Sequence, residues 1–197
     1  MLWLAIVLFL ALAIAVLRGG RLANLGDIEL RLWWLLPVGF LLQFGTAWIP
    51  EDATWSETAG LAMMLGSFVP LMALVIINRS RPGMWLAGVG VLMNFTVILV
   101  NGGMPVLLGA AEAASGFATS TPEIGGSFKH VPLDETSRLT FLADVIPLRI
   151  AGNSQVISLG DVFLAVGLGR FLEHELRRPV RWFKRGAHAQ AGSASRR

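Results

Sequence analysis

The sequence has no cysteine, and only 15% of its 197 residues are charged. Without cysteine the chain has no disulfide framework, no thiolate nucleophile and no thiolate metal ligand. Its three histidines show no HxxH or HExxH spacing, so the sequence predicts neither a metal site nor a cofactor. A soluble domain usually carries about 25% charged residues, so the low charge argues against a soluble globular protein.

Long apolar runs take the place of the missing charge. Hydrophobic residues make up 54% of the chain, and they cluster in runs rather than recurring at the period of an amphipathic helix or a half-buried strand. Runs of this kind are typical of helices in a lipid solvent. The basic residues flank the runs, as the positive-inside rule requires, and this placement argues against nucleic acid as a partner.

Five apolar runs come near the length that a helix needs to cross a bilayer. The sequence therefore predicts an all-α fold, a polytopic membrane bundle of five transmembrane helices in residues 1–176, followed by a basic cytoplasmic tail in residues 177–197. The predicted helices cover about residues 1–17, 32–49, 58–77, 84–100 and 156–172.

The distribution of basic residues predicts the orientation. With the N-terminus outside, 13 of the 16 lysines and arginines face the cytoplasm, and the exceptions are Lys129, Arg138 and Arg149. The first run has no basic segment before it, which favours a retained helix over a cleaved signal peptide. The prediction is a multi-pass protein of the bacterial cytoplasmic (inner) membrane. Its basic tail either anchors the chain at the interface or binds anionic lipid head groups.

A long outer loop, residues 101–155, separates the fourth and fifth predicted helices. Loops of this length are uncommon and tend to be functional. Within the loop, residues 139–150 form an apolar run that is too short to span, which predicts an interfacial or re-entrant segment on the outer rim. We therefore expect the functional site at the outer end of the bundle.

Two aspartates are the candidate catalytic residues. Asp161 lies inside the fifth apolar run, so it is either functional or a helix-start carboxylate favoured by the helix dipole. Asp144 lies 17 residues earlier, and a proline and a glycine between the two allow the chain to fold back. Two close carboxylates would share a proton and provide an acid and a base. The alternative places Asp144 in a surface pair with Arg138 or Arg149.

Asn94 and Asn101 are candidates for orienting a substrate or the aspartates. They stand seven residues apart and therefore on one face of the fourth helix. The alternative for Asn94 is a hydrogen bond that holds two membrane helices together. His130 is a lone loop histidine, which is either a solvated or capping residue or a member of the same site.

Four short stretches carry a resemblance that covers nearly the whole chain. They are NGGMP at 101–105, Lys129-His130, LADVIP at 142–147 and SLGDV at 158–162. Together they resemble an uncharacterised family of bacterial five-helix membrane proteins, a domain of unknown function. This resemblance implies the fold and no activity.

The C-terminal part is also similar to lipoprotein signal peptidase. In that family an aspartate follows an apolar stretch, a second aspartate in an N-x-A-D pattern opens the last helix, and a glycine comes six residues later. Asp144, Asp161 and Gly167 stand at the matching positions here, and Ser158 replaces the asparagine. The resemblance implies a catalytic pair of Asp144 and Asp161 at the outer membrane face.

The residues leave two functions open. The favoured one is a non-enzymatic envelope component that binds membrane lipids or a membrane protein partner, with both aspartates structural. The other is an aspartic-type intramembrane hydrolase, in which Asp144 and Asp161 activate water against a peptide or lipid-linked substrate at the outer face. The residues that would then bind or orient the substrate are Asn94, Asn101, His130 and Ser158.

Overall fold

A computed structural model of the chain describes residues 2–50, 52–110, 130–150 and 153–178, and most of these residues are helical. Five α-helices are described from end to end: α1 Leu2–Leu17, α2 Leu35–Gly45, α3 Ser56–Ile77, α4 Met84–Asn101 and α5 Leu159–Leu176. Short 3-10 helices also occur, at Leu22–Asp27, Thr46–Trp48 and Thr140–Leu142.

Short strands correct the all-α expectation. A parallel pair joins β1 (Met104–Val106) to β2 (His130–Pro132), and an antiparallel hairpin joins β3 (Ile146–Ile150) to β4 (Asn153–Ile157). The apolar run expected to lie in the membrane interface supplies a 3-10 turn and then β3. Pro147 explains part of this outcome, because proline lacks an N–H and biases the preceding residue towards extended backbone.

Two helices begin later than the sequence predicts. Residues 156 and 157 belong to β4 rather than to the last helix, so Asp161 lies in the first turn of α5 and not one turn inside it. The second helix begins at Leu35 rather than near residue 32, because Leu32 adopts a positive φ of 55° and interrupts the helical backbone.

The helices form a row in the order α1, α5, α4, α3, α2, in which neighbours in the row pack against each other. The closest approach is between α4 and α5, where glycines let the two backbones touch. A Cβ added to Gly167 would lie 2.7 Å from the Gly83 carbonyl oxygen, and one added to Gly90 would lie 2.6 Å from the Leu164 nitrogen. Real Cβ atoms do not come this close to a neighbour.

The main core cluster joins α3 and α4 to the segments that carry the short strands, which lie at one end of the helix axes. Its buried members are Met64, Phe68, Val91, Val97, Ile98, Met104 and Leu142. We call this end, which carries β1 to β4 and the 3-10 helix Thr140–Leu142, the cap end. The opposite end, where α3 ends at Ile77 and α5 ends at Leu176, is the arginine end.

Two of the helices are long and apolar enough to cross a membrane, Ser56–Ile77 and Met84–Asn101. The apolar stretches Ile6–Leu17 and Leu35–Trp48 are shorter, and α5 carries four charged residues. Length and composition therefore identify two candidate spans among the described residues, where the sequence predicts five.

Candidate functional site

Ser158 and Asp161 close the first turn of α5 with a reciprocal pair of hydrogen bonds. The Asp161 backbone N–H donates to Ser158 Oγ (3.0 Å), and the Ser158 backbone N–H donates to Asp161 Oδ2 (3.3 Å). This capping box satisfies donors that the first turn of a helix leaves open. The S-x-x-D pattern is the sequence signature of such a box, so this local role of Asp161 was readable before the structure.

Asn94, in the middle of α4, joins this turn to the neighbouring helix. Its Nδ2 donates to Asp161 Oδ1 (2.8 Å), and its Oδ1 accepts a hydrogen bond from Ser158 Oγ (3.0 Å). Gly160 makes the approach possible, because a Cβ at that position would overlap the Asn94 amide oxygen. Both carboxylate oxygens of Asp161 thus accept hydrogen bonds, and three polar side chains form one closed network between α4 and α5.

Asn101, the last residue of α4, holds the loop that follows β2 against the helix. Its Oδ1 accepts a hydrogen bond from the Arg138 backbone N–H (2.8 Å), and its Nδ2 donates to the Arg138 carbonyl (2.9 Å) and to the Val97 carbonyl (2.8 Å). An asparagine amide has a donor and an acceptor side by side, so it can pair with a backbone as a neighbouring strand would. Asn101 therefore positions this loop and does not join the Asn94 network.

Asp134 closes the turn that leads from β2 towards Arg138. Its Oδ1 accepts hydrogen bonds from the Thr136 hydroxyl (2.7 Å) and from the Thr136 backbone N–H (2.9 Å). These hydrogen bonds hold the pKa of Asp134 below its ordinary value because they stabilise the ionised carboxylate, and the hydrogen bond from the Thr136 hydroxyl makes the largest contribution. The turn is exposed, so its role is to shape the loop.

Asp144 and His130 flank opposite sides of β1. The Asp144 backbone N–H donates to the Pro105 carbonyl (2.9 Å), while His130 begins β2 opposite Met104. Their side chains meet, with His130 Nε2 3.8 Å from Asp144 Oδ2. Asp144 is buried and His130 is partly exposed, and the two groups form an ion pair only when the imidazole is protonated. The sequence did not point to this partner for Asp144.

The β3–β4 hairpin brings Asp144 back towards the start of α5. Ile146 pairs with Ile157, so both aspartates lie within a few residues of the same rung of this ladder. The fold-back that the sequence predicts is therefore present. Among the described residues, the Asp161 carboxylate accepts its hydrogen bonds from Asn94 and from Ser158, and the joint use of the two aspartates in catalysis stays a prediction.

The cap end gathers all six candidate residues without forming a metal centre in the part of the chain that the structure describes. Within that part, no group of three or more His, Cys, Asp or Glu side chains is placed to hold a metal ion. The polar groups described at this end include the Asn94–Ser158–Asp161 network and the His130–Asp144 pair.

A second buried polar cluster lies at the arginine end, although sequence reasoning placed the site at the outer end alone. Glu175 is 3% exposed and accepts hydrogen bonds from Arg81 Nη1 (3.0 Å) and Arg178 Nη1 (2.7 Å). Asn24, also buried, donates to the carbonyls of Leu176 (2.8 Å) and Arg178 (2.7 Å), and so caps the C-terminus of α5. The sequence feature that could have indicated this cluster is Glu175 itself, an acidic residue in the last helical turn, where the helix dipole disfavours it.

Asn78 ends α3 as Asn101 ends α4. Its Oδ1 accepts a hydrogen bond from the Arg31 backbone N–H (3.0 Å), and its Nδ2 donates to the carbonyls of Arg31 (3.0 Å) and Leu74 (2.8 Å). At the cap end and at the arginine end alike, an asparagine at the C-terminus of a helix therefore binds the backbone of an arginine from another segment. Sequence reasoning did not single out Asn78, because its partner lies 47 residues away.

Comparison with known proteins identifies the family. The model of a "Family of unknown function (DUF5317)" matches residues 27–172, a range that includes all six candidate residues and excludes Glu175. An uncharacterized protein of Thermotoga maritima is 30% identical over 164 residues, which cover 82% of this chain and 85% of that relative. No solved structure matches the chain. The protein belongs to the DUF5317 family, which confirms the membership in a family of unknown function that its sequence motifs predict.

Proposed function

We propose that the protein is a multi-pass, non-enzymatic component of the bacterial cytoplasmic membrane, with its five helices in the bilayer. Large apolar side chains stand exposed on every helix, where water would disfavour them. They include Phe9 and Leu17 on α1, Leu41 and Phe44 on α2, Val69 and Ile76 on α3, Leu92 and Leu99 on α4, and Val166 on α5. A lipid solvent accounts for all of these exposures.

Tryptophans at the two ends support the same proposal. Trp48 and Trp55 lie in the connection at the cap end and are 82% and 55% exposed. Trp33, Trp34 and Trp85 lie at the arginine end and are also exposed. Exposed tryptophan at both ends of an apolar bundle is typical of the two membrane–water interfaces.

Charge supports the proposed orientation. The described residues at the arginine end include Arg18, Arg21, Arg31, Arg79, Arg81, Arg177 and Arg178. Those at the cap end include the acidic residues Asp52, Glu57, Asp134, Glu135, Asp144 and Asp161. The positive-inside rule then assigns the arginine end to the cytoplasm and the cap end to the outside.

The hydrogen bonding of Asp161 carries the non-enzymatic part of the proposal. Its two carboxylate oxygens accept hydrogen bonds from Asn94 and from the Ser158 backbone, so the only acidic side chain of the α5 first turn helps to hold α4 and α5 together. A catalytic carboxylate has to approach water and substrate, whereas both oxygens of Asp161 already take part in the helix cap or in the contact with Asn94. The outer loop, positioned by Asn101, then offers the surface for a membrane partner.

The second candidate is the aspartic-type hydrolase implied by the similarity to lipoprotein signal peptidase. The observation that favours it is the β3–β4 hairpin, which returns Asp144 to the same end as Asp161. In this function the Asn94 amide orients the Asp161 carboxylate, and Asp144 supplies the second carboxyl group. In the first candidate function Asp161 stabilises the fold, and in the second it takes part in catalysis.

Single-cysteine labelling tests the membrane topology without background, because the natural chain has no cysteine. Glu135→Cys at the cap end and Ser80→Cys at the arginine end replace exposed residues. We expect a membrane-impermeant maleimide added to intact cells to label Glu135→Cys at once and Ser80→Cys only after the membrane is opened. Labelling of both positions in intact cells, or recovery of the protein in the soluble fraction, would refute the topology.

Replacement of Asp161 by asparagine tests the role of the network. The asparagine side chain keeps one acceptor oxygen, but its NH2 group faces one of the two donors, Asn94 Nδ2 or the Ser158 backbone N–H. We therefore expect the variant to unfold at a lower temperature, with a loss of about 1–2 kcal/mol in the free energy of unfolding. Ser158→Ala removes the same cap from its other side and should cause a comparable loss. If Asp161→Asn melts like the natural protein in the same detergent while Ser158→Ala does not, the carboxylate is not structural and the hydrolase becomes the better proposal.

A further inference from the structure

Among the described residues at the arginine end, ion pairing distinguishes four arginines from Arg21, Arg31 and Arg79. Arg18, Arg81, Arg177 and Arg178 pair with Glu173 or Glu175. In the described ranges, Arg31 and Arg79 have no carboxylate within ion-pair distance, and the Arg79 guanidinium donates only to the carbonyl of Ile76 (3.1 Å). Both side chains are exposed, so most of their donors face outward.

The Asn78 clamp sets these two arginines beside each other. Asn78 holds the Arg31 backbone on both its N–H and its carbonyl, and Arg79 is the next residue after Asn78. The two side chains therefore start from adjacent points on the surface. Asp27 and Glu29, the acidic residues that shortly precede Arg31 in the sequence, are exposed, and among the described residues neither forms an ion pair with Arg31 or Arg79.

The turn that directly follows Arg31 in the chain carries three exposed apolar side chains. Leu32 has a φ of 55°, a left-handed backbone that is uncommon for a residue with a Cβ. The turn leaves Leu32, Trp33 and Trp34 exposed by 45%, 66% and 49%. Tryptophans of this kind lie at the depth of lipid head groups.

We propose that Arg31 and Arg79 bind the phosphate of an anionic phospholipid of the cytoplasmic leaflet, while Leu32, Trp33 and Trp34 contact its glycerol and upper acyl chains. Arginine guanidinium groups match phosphate oxygens in geometry as well as in charge. The apolar turn beside them distinguishes a lipid from free phosphate, which could use the arginines but not the turn. The proposal rests on the membrane location of the proposed function and adds the partner of its cytoplasmic end.

Binding of short-chain lipids tests the site on the full-length protein in a non-ionic detergent. The probes are dihexanoyl-phosphatidylglycerol and dihexanoyl-phosphatidylcholine, with tryptophan fluorescence as the readout. We expect phosphatidylglycerol to bind more tightly, and the double change Arg31→Gln and Arg79→Gln to weaken it at least fivefold, to the level of phosphatidylcholine. One basic residue at an anionic surface contributes about 1 kcal/mol, which is roughly fivefold in affinity.

The matched control is the double change Arg138→Gln and Arg149→Gln at the cap end, where both arginines are exposed. It should leave the preference for phosphatidylglycerol unchanged. Equal losses in both double variants, or no loss in the first, would overturn the proposal. Full displacement of the lipid by inorganic phosphate at equal concentration would also overturn it, in favour of a free-phosphate site.

A variant that fails to fold does not leave the site untested. Arg79→Gln alone changes an exposed side chain whose described hydrogen bond goes to its own helix, and it should still weaken phosphatidylglycerol binding severalfold. Arg79→Lys keeps the charge and should retain most of the binding. If the natural protein shows no preference for phosphatidylglycerol while cysteine labelling is as expected, this site is rejected and the membrane topology stays intact.

Discussion

Replacement of Gly167 by alanine is expected to lower the thermal unfolding midpoint by about 2–12 °C, which corresponds to roughly 1–3 kcal/mol. The added Cβ would overlap the backbone of Ala87 and lie 2.7 Å from the Gly83 carbonyl oxygen. Both obstacles are backbone atoms, so a change of side-chain rotamer cannot relieve them. The helices α4 and α5 must separate, and this also lengthens the hydrogen bond between Asn94 and Asp161. Circular dichroism of the purified protein in detergent measures the midpoint.

Gly66→Ala is the matched control for this prediction. Gly66 also lies inside a helix, α3, but a Cβ at that position has nothing within 4 Å. Alanine has the higher helix propensity by up to about 1 kcal/mol, so the midpoint should stay the same or rise. The two variants carry the same chemical change, and only Gly167→Ala should lower the midpoint. Equal midpoints would mean that α4 and α5 do not approach as closely as the structure places them.

Replacement of Glu175 by glutamine is the second change with a large expected effect. The natural side chain is 3% exposed and balances the guanidinium groups of Arg81 and Arg178. Its loss leaves Arg81, only 21% exposed, without a counter-charge in a partly buried site. We expect a loss of about 2–3 kcal/mol, below the upper range for a fully buried pair because Arg178 reaches solvent. The same thermal measurement in detergent reports it.

Glu173→Gln separates this effect from general loss of negative charge at the end of α5. Glu173 lies two residues earlier and pairs with Arg18 (2.8 Å) and Arg177 (3.5 Å), but its partners are more than half exposed. Solvent and salt screen such a pair, so the change should leave the midpoint almost unaltered. A loss in Glu173→Gln as large as that in Glu175→Gln would show that burial is not what makes Glu175 important.

Local patterns in the sequence predicted much of the helical layout. Each of the five apolar runs overlaps one of the five helices that the structure describes from end to end, because hydropathy and length act within one segment. The expected alternative for Asp161, a carboxylate at the start of a helix, also depends only on neighbouring residues, and the S-x-x-D pattern carried the further signal of a capping box with Ser158. Helix starts were less predictable. The positive φ of Leu32 and the pairing of β4 both depend on contacts outside the run itself.

The partners of the candidate residues were not predictable in the same way. Asp161 meets Asn94 across 67 residues, and the meeting depends on how far α4 and α5 can approach, which Gly160 permits. Asp144 meets His130 because both segments flank β1, a relation that no periodicity in the chain reveals.

The distance in sequence between the residues that interact explains which features could be predicted and which could not. Apolar runs, basic flanks and helix caps are properties of short segments, and they establish that the chain forms helices, which ends carry charge, and where Asp161 can cap α5. The pairing of Asn94 with Asp161, of Asp144 with His130 and of Glu175 with its arginines depends on the register between elements far apart in sequence. That register is set by backbone contact at glycines and by strand pairing, and it exists only once the row of helices has assembled.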